Sequence, residues 1–117
     1  MLYHITSIEN ADKVLKEGLI ASYTTNSALS EEGYIYLFEN KSYKNRITGE
    51  LTAVADAIAK NQLFLDTYCM LEINEKGITE KLEHDDVGEA AAFAEWKVKQ
   101  KKIDKKYIDI FGYYKIR

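Results

Sequence analysis

Leu2-Tyr3-His4-Ile5-Thr6-Ser7-Ile8-Glu9-Asn10-Ala11, continuing through Val14-Leu15-Lys16-Glu17-Gly18-Leu19, changes its hydrophobic period once, at Ser7. Leu2 to Thr6 is short, bulky and partly β-branched, which predicts a strand. Ser7 then offers an N-cap oxygen, and Glu9 sits in the first turn, where a carboxylate meets the positive end of a helix. Ala11, Val14 and Leu15 recur at spacings of three and four, with Leu19 just beyond, while Asp12, Lys13, Lys16 and Glu17 face away. Gly18 stands where a left-handed residue closes a helix, so the helix is predicted to end there.

Working outward, residues 21–33 are rich in Ser, Thr, Asn and Glu and read as a surface loop. They deliver the chain into Tyr34-Ile35-Tyr36-Leu37-Phe38, a strand with almost no polar side chain, as expected for a central position covered on both faces. The stretch from Glu39 to Gly49 is polar, and Leu51, Val54, Ala55 and Ile58 then mark a second helix ending near Asn61. Tyr68 to Ile73 reads as a third strand closed by the turn Asn74-Glu75-Lys76-Gly77, and Glu80 to Glu89 is acidic around His84. Ala94 to Lys99, Tyr107 to Phe111 and Tyr113 to Ile116 suit strands, with Gly112 as a bulge or break. The order is β-α-β-α followed by strands, an α+β domain with about two helices spanning residues 1–117 as a single unit.

Composition narrows the function classes. At 117 residues the chain suits one domain, and 46% hydrophobic with 30% charged residues is a globular balance. Sixteen basic against nineteen acidic side chains give a net charge of −3, so any attraction for nucleic acid or anionic lipid must be local. One cysteine, Cys69, excludes an internal disulfide, and two histidines are too few for a zinc site of the usual Cys/His kind, so no metal is expected. A reducing, cytoplasmic setting is expected, with no membrane partner and no export segment. The phosphate loop, the dinucleotide-binding glycine turn and the serine-hydrolase elbow are all missing from the sequence.

Four features can carry chemistry, and each has a plainer reading. His4 can offer a hydrogen bond to a ligand hydroxyl, or be a strand histidine with no special task. Tyr34, Tyr36 and Phe38 share one face by the period of two and can stack on a flat heterocycle or simply fill core. Glu95, beside the single tryptophan Trp96, can stabilise positive charge developing on a sugar, or be a surface carboxylate paired with Lys97 or Lys99; Glu89 competes for the role. Lys97, Lys99, Lys101, Lys102, Lys105 and Lys106, offset by Asp104, can meet phosphates with Trp96 and Tyr107 interleaved, or form a solvated hairpin neutralised by Glu80, Glu83, Asp85 and Asp86. Cys69, in a buried strand without a basic neighbour, is an unpromising nucleophile.

Taken in order, Leu2-Tyr3-His4-Ile5-Thr6-Ser7 with the helix ending Gly18-Leu19, then Gly33-Tyr34-Ile35-Tyr36-Leu37-Phe38-Glu39, then Ala94-Glu95-Trp96-Lys97-Val98 with Ile103 and Tyr107-Ile108, resemble the ADP-ribosyltransferase-like superfamily of His-Tyr-Glu type. That superfamily includes poly(ADP-ribose) polymerases, RNA 2′-phosphotransferases and DNA-modifying toxin relatives. The resemblance implies a small split-sheet domain that uses NAD as substrate and modifies a macromolecular acceptor, protein or nucleic acid, in a bacterial or phage setting. It implies a catalytic set of Glu95, His4 and Tyr36 and a cofactor-binding set of His4, Ile5, Thr6, Tyr36 and Ser42. His4 would bond the adenosine-side ribose, Tyr36 would stack on nicotinamide, and Glu95 would hold the nicotinamide-side ribose hydroxyl. Where many relatives carry glycine after the histidine, this chain has Ile5. Two rivals follow from the same residues: RNA-end processing of the 2′-phosphotransferase kind, and a catalytically inactive domain that binds or inhibits a partner protein.

Overall fold

Ser7 caps the first helix as its sequence position requires, its side chain accepting from the Asn10 amide at 3.1 Å, and the elements on either side follow the strand-helix reading. The computed structural model describes residues 1–21, 33–44, 47–61, 63–84 and 95–116, without the side chains of Tyr43, Asn61 and Glu95. In chain order the elements are β1 (Leu2–Thr6), α1 (Ile8–Glu17), β2 (Leu19–Ile20), β3 (Ile35–Phe38), β4 (Ser42–Lys44), β5 (Leu51–Ala53), α2 (Val54–Asn61), β6 (Thr67–Ile73), a 3-10 turn at Glu75–Gly77, β7 (Leu82–His84), β8 (Glu95–Val98), β9 (Lys102–Ile103), a second 3-10 turn at Lys105–Tyr107, and β10 (Ile108–Lys115). This is an α+β fold with two helices among the described residues, as the sequence predicts.

Six strands form one antiparallel sheet in the order β10-β6-β1-β3-β8-β7. Alternation along each strand splits the core in two. On one face Leu2, Ile35, Leu37, Cys69, Leu71, Ile73 and Val98 pack with Ala11 and Val14 of α1 and with Leu19 and Ile103 of the β2–β9 pair. On the other, Ile5, Phe38, Tyr68 and Met70 pack against Val54, Ala55, Ala57, Ile58 and Ala59 of α2. The apolar strand β3 is central and covered on both faces, which explains its lack of polar side chains. Tyr68 fastens α2 to the sheet by donating to Asp56 Oδ1 at 2.5 Å while its ring stacks on Tyr114. Burial, the Asp56 bond and the nearby carboxylate charge together push the Tyr68 phenol well above its ordinary range, so it remains a donor.

Gly18 is required twice. Its φ of +89° favours glycine, and a Cβ there would lie 2.6 Å from the Ile103 carbonyl, so β9 approaches the helix end more closely than any side chain permits. Gly112 marks a bulge, with the β10–β6 register shifting between Ile110 and Gly112.

The structure departs from the sequence reading at three places. Leu51 belongs to β5, paired with Lys44, and α2 starts only at Val54, whose amide donates to the Lys41 carbonyl at 2.8 Å and so begins the helix. Leu82–His84, expected as part of an acidic stretch, form an edge strand on β8, where Glu83 stands opposite Lys97. Leu19–Ile20 pair with Lys102–Ile103, so the lysine-rich segment is anchored to the first helix and not a free hairpin. The expected loop falls largely on 22–32, and Asp85, Asp86 and Ala94 likewise lie outside the described residues. Among the described residues no helix is long and apolar enough to cross a membrane.

Candidate functional site

The β1–β3 seam has the shortest registered pairing of the sheet among the described residues. β1 is registered to β6 along its whole length, Leu2 opposite Ile73 through Thr6 opposite Cys69. To β3 it is registered only at Tyr3 opposite Phe38 among the described residues. Continuing that register would bring Ile5 opposite Tyr36, and there the Tyr36 carbonyl instead accepts from His4 Nδ1 at 2.7 Å. An imidazole thus takes a carbonyl that a continued ladder would pair with a backbone amide.

This bond sets the chemistry of His4. A carbonyl only accepts, so Nδ1 carries the proton and Nε2 of the neutral ring keeps its lone pair. No described residue bonds Nε2. Burial lowers the His4 pKa from 6.5, and the Tyr36 bond opposes that only in part, so the ring is neutral at neutral pH. Because the unfolded chain takes up the proton first as pH falls, the stability held above pH 6.5 is lost as pH drops toward the lowered folded value. Urea midpoints measured across that window should fall more steeply for wild type than for His4→Asn, which keeps a donor for Tyr36 but cannot titrate; parallel profiles would remove His4 as the cause.

Strand alternation sets His4 on the face of Leu2, Leu37 and Leu71. Tyr36 lies on the other face, its ring 6.4 Å from that of Tyr34, with the Lys97 ammonium 5.0 Å from the Tyr34 ring. The two residues meet through the Tyr36 backbone and not through their side chains. Ile5 also turns from His4, its side chain packed with Phe38, Val54 and Met70 against α2. The Thr6 hydroxyl accepts from Asn10 Nδ2 at 2.9 Å and is spent holding α1 to β1. Ser42 is exposed in β4 opposite Ala53, in the small β4–β5 sheet. Glu95 opens β8 opposite Phe38, one strand beyond Tyr36. Its side chain, and all of Glu89, lie outside the described residues. Cys69 is fully buried and burial raises its thiol pKa, which leaves it inert as a nucleophile.

His4's face also brings together groups whose meeting no sequence pattern marked. Leu37 stands opposite Trp96, and Trp96 opposite His84, so His4, Leu37, Trp96 and His84 make a row across four strands. His84 meets Trp96 edge to face with centroids 5.0 Å apart. Trp96 Nε1 donates to Glu39 Oε1 at 3.3 Å, and the other Glu39 oxygen pairs with Lys41 at 3.3 Å. Those two bonds and the Lys41 charge hold the Glu39 carboxyl below its usual range. Trp96 and Glu39 are 57 positions apart, and only the pairing of β3 with β8 joins them.

No family model, no curated protein and no solved structure matches this chain.

Proposed function

We propose that this chain transfers ADP-ribose from NAD to a macromolecular acceptor, with the β1–β3 seam as the cofactor cleft. One observation carries the reading: the His4 imidazole is tied to the Tyr36 carbonyl where the ladder stops, which leaves a neutral Nε2 acceptor beside a break in the sheet. A ribose hydroxyl can donate to that nitrogen, and of the adjacent residues Ile5 and Thr6 the one whose backbone is directed to β3 rather than to β6 can meet the carboxamide of nicotinamide. Glu95 is given the nicotinamide-side ribose. In the reaction the bond from ribose carbon to nicotinamide nitrogen breaks with its electron pair leaving on nicotinamide, the carboxylate stabilises the resulting oxocarbenium character, and an acceptor nucleophile forms the new bond and loses its proton. The cytoplasm, where NAD is abundant, is the setting that goes with this reading.

Tyr36 enters in two separable ways. Its carbonyl orients His4 whatever the side chain, while its ring, on the opposite face, is the group that can stack on nicotinamide. Thermal shift on titration with NAD tests both. At about 100 times the dissociation constant, NAD should stabilise wild type by roughly 2.7 kcal/mol. His4→Ala should lose most of that shift, and Tyr36→Ala, which keeps the carbonyl, should lose it only if the ring stacks. A wild-type melting temperature indifferent to NAD overturns the proposal.

A further inference from the structure

The segment Lys99 to Lys106 holds Lys99, Lys101, Lys102, Lys105 and Lys106 against Asp104 alone, within a chain of net charge −3. All five lysines are exposed, while Gln100 and Ile103 between them are buried, Ile103 completely. The two buried residues pin the backbone. Gln100 Nε2 donates to the Gly77 and Lys102 carbonyls at 2.8 and 2.7 Å, and its Oε1 accepts from the Thr79 amide at 2.9 Å. Ile103 sits in the core under α1, and its strand pairs with Leu19–Ile20. The Ala21 amide donates to the Lys101 carbonyl at 2.9 Å, which ties the segment again at its start.

Neighbouring elements bring charge of both signs to the edges of the segment, Lys16 with Glu17 at the end of α1 and Glu75 with Lys76 in the first 3-10 turn. The Lys102 stem lies over Gly18 at the end of α1, next to Lys16 in its last turn. Gly77 packs under the Tyr107 ring, which brings Lys76 of the first 3-10 turn to the second. Asp104 is occupied in capping that second turn, its Oδ1 accepting from the Lys106 amide at 3.0 Å. Among the described residues the ion pair is that of Lys41 with Glu39, so no carboxylate there neutralises any of these five lysines. Among the described residues the ridge is thus held at its backbone and without an ion pair, a combination that costs stability through self-repulsion and is relieved by a polyanion.

The geometry points to a site for the phosphate backbone of a nucleic acid, bound without regard to sequence. Phosphodiester oxygens suit lysine point charges, and a fixed backbone loses little freedom when they arrive. The Tyr107 ring carries the Lys106 ammonium at 5.1 Å on one side and the Gly77 backbone against it, so it is not a free stacking platform and base recognition is not part of the site. The inference does not rest on NAD binding, and if both hold, the ridge makes nucleic acid the acceptor class.

Fluorescence anisotropy with a labelled mixed-sequence oligonucleotide, single-stranded and duplex, in the absence of NAD, tests it. Binding should weaken with salt, the slope of log K against log salt approaching about 0.7 to 0.9 per lysine engaged. The triple variant Lys102→Glu, Lys105→Glu, Lys106→Glu should lose binding by an order of magnitude or more at low salt and flatten that slope. Lys44→Glu, Lys60→Glu, Lys115→Glu changes the net charge equally at sites off the ridge and should keep most of the affinity. Equal losses in the two triples, no binding by wild type at low salt, or tighter binding to anionic phospholipid vesicles than to the oligonucleotide would each overturn the site. All six positions are exposed, so circular dichroism should report the wild-type fold in both variants.

Discussion

Glu95→Gln is expected to lower single-turnover transfer of label from NAD by about 10²–10³, the loss that follows removal of one preplaced electrostatic group, or about 3–4 kcal/mol of barrier. The substitution keeps size and hydrogen-bonding capacity while removing the negative charge that the proposed mechanism uses to stabilise the developing oxocarbenium. Its backbone pairing with Phe38 is untouched, so the melting temperature without ligand should match wild type. NAD binding should largely persist, which separates a catalytic loss from a binding loss. Glu89→Gln, assayed in parallel, decides between the two carboxylates that sequence spacing leaves open: an unchanged rate for Glu95→Gln with a collapse for Glu89→Gln moves the role to Glu89, and no loss in either removes a carboxylate of this segment from the mechanism.

Gln100→Leu is expected to cost about 2–4 kcal/mol of folding stability, although it replaces a polar residue with an apolar one of similar size in a buried position. The side chain is 7% exposed and serves the Gly77 and Lys102 carbonyls and the Thr79 amide. Leucine leaves these groups unpaired beside the core, and the penalty of an unsatisfied buried group exceeds what the added apolar contact returns. Urea denaturation should show a lower midpoint with an unchanged slope. The same variant loosens the backbone that presents the lysines, so oligonucleotide binding should weaken even though no charge is changed. A midpoint within error of wild type would mean that water replaces the amide at this position.

The sequence by itself determined whatever depends on near neighbours and period. Ser7 and Gly18 bound the first helix, β3 is buried on both faces, Cys69 is sealed in the core, and Gly112 bends the last strand, all as local chemistry dictates. Tertiary structure alone decided which distant groups meet. The short pairs β2–β9 and β4–β5 and the edge strand β7 have too few residues to show a period, and exist because the long strands bring their ends together. His4 was visible as a candidate, but its partner is a main-chain carbonyl, and every residue type carries one, so no motif could announce it. The opposite facing of His4 and Tyr36, the Trp96–Glu39 bond and the Gln100 clamp have the same origin: register between strands far apart in the chain, which local pattern leaves undetermined and long-range packing fixes.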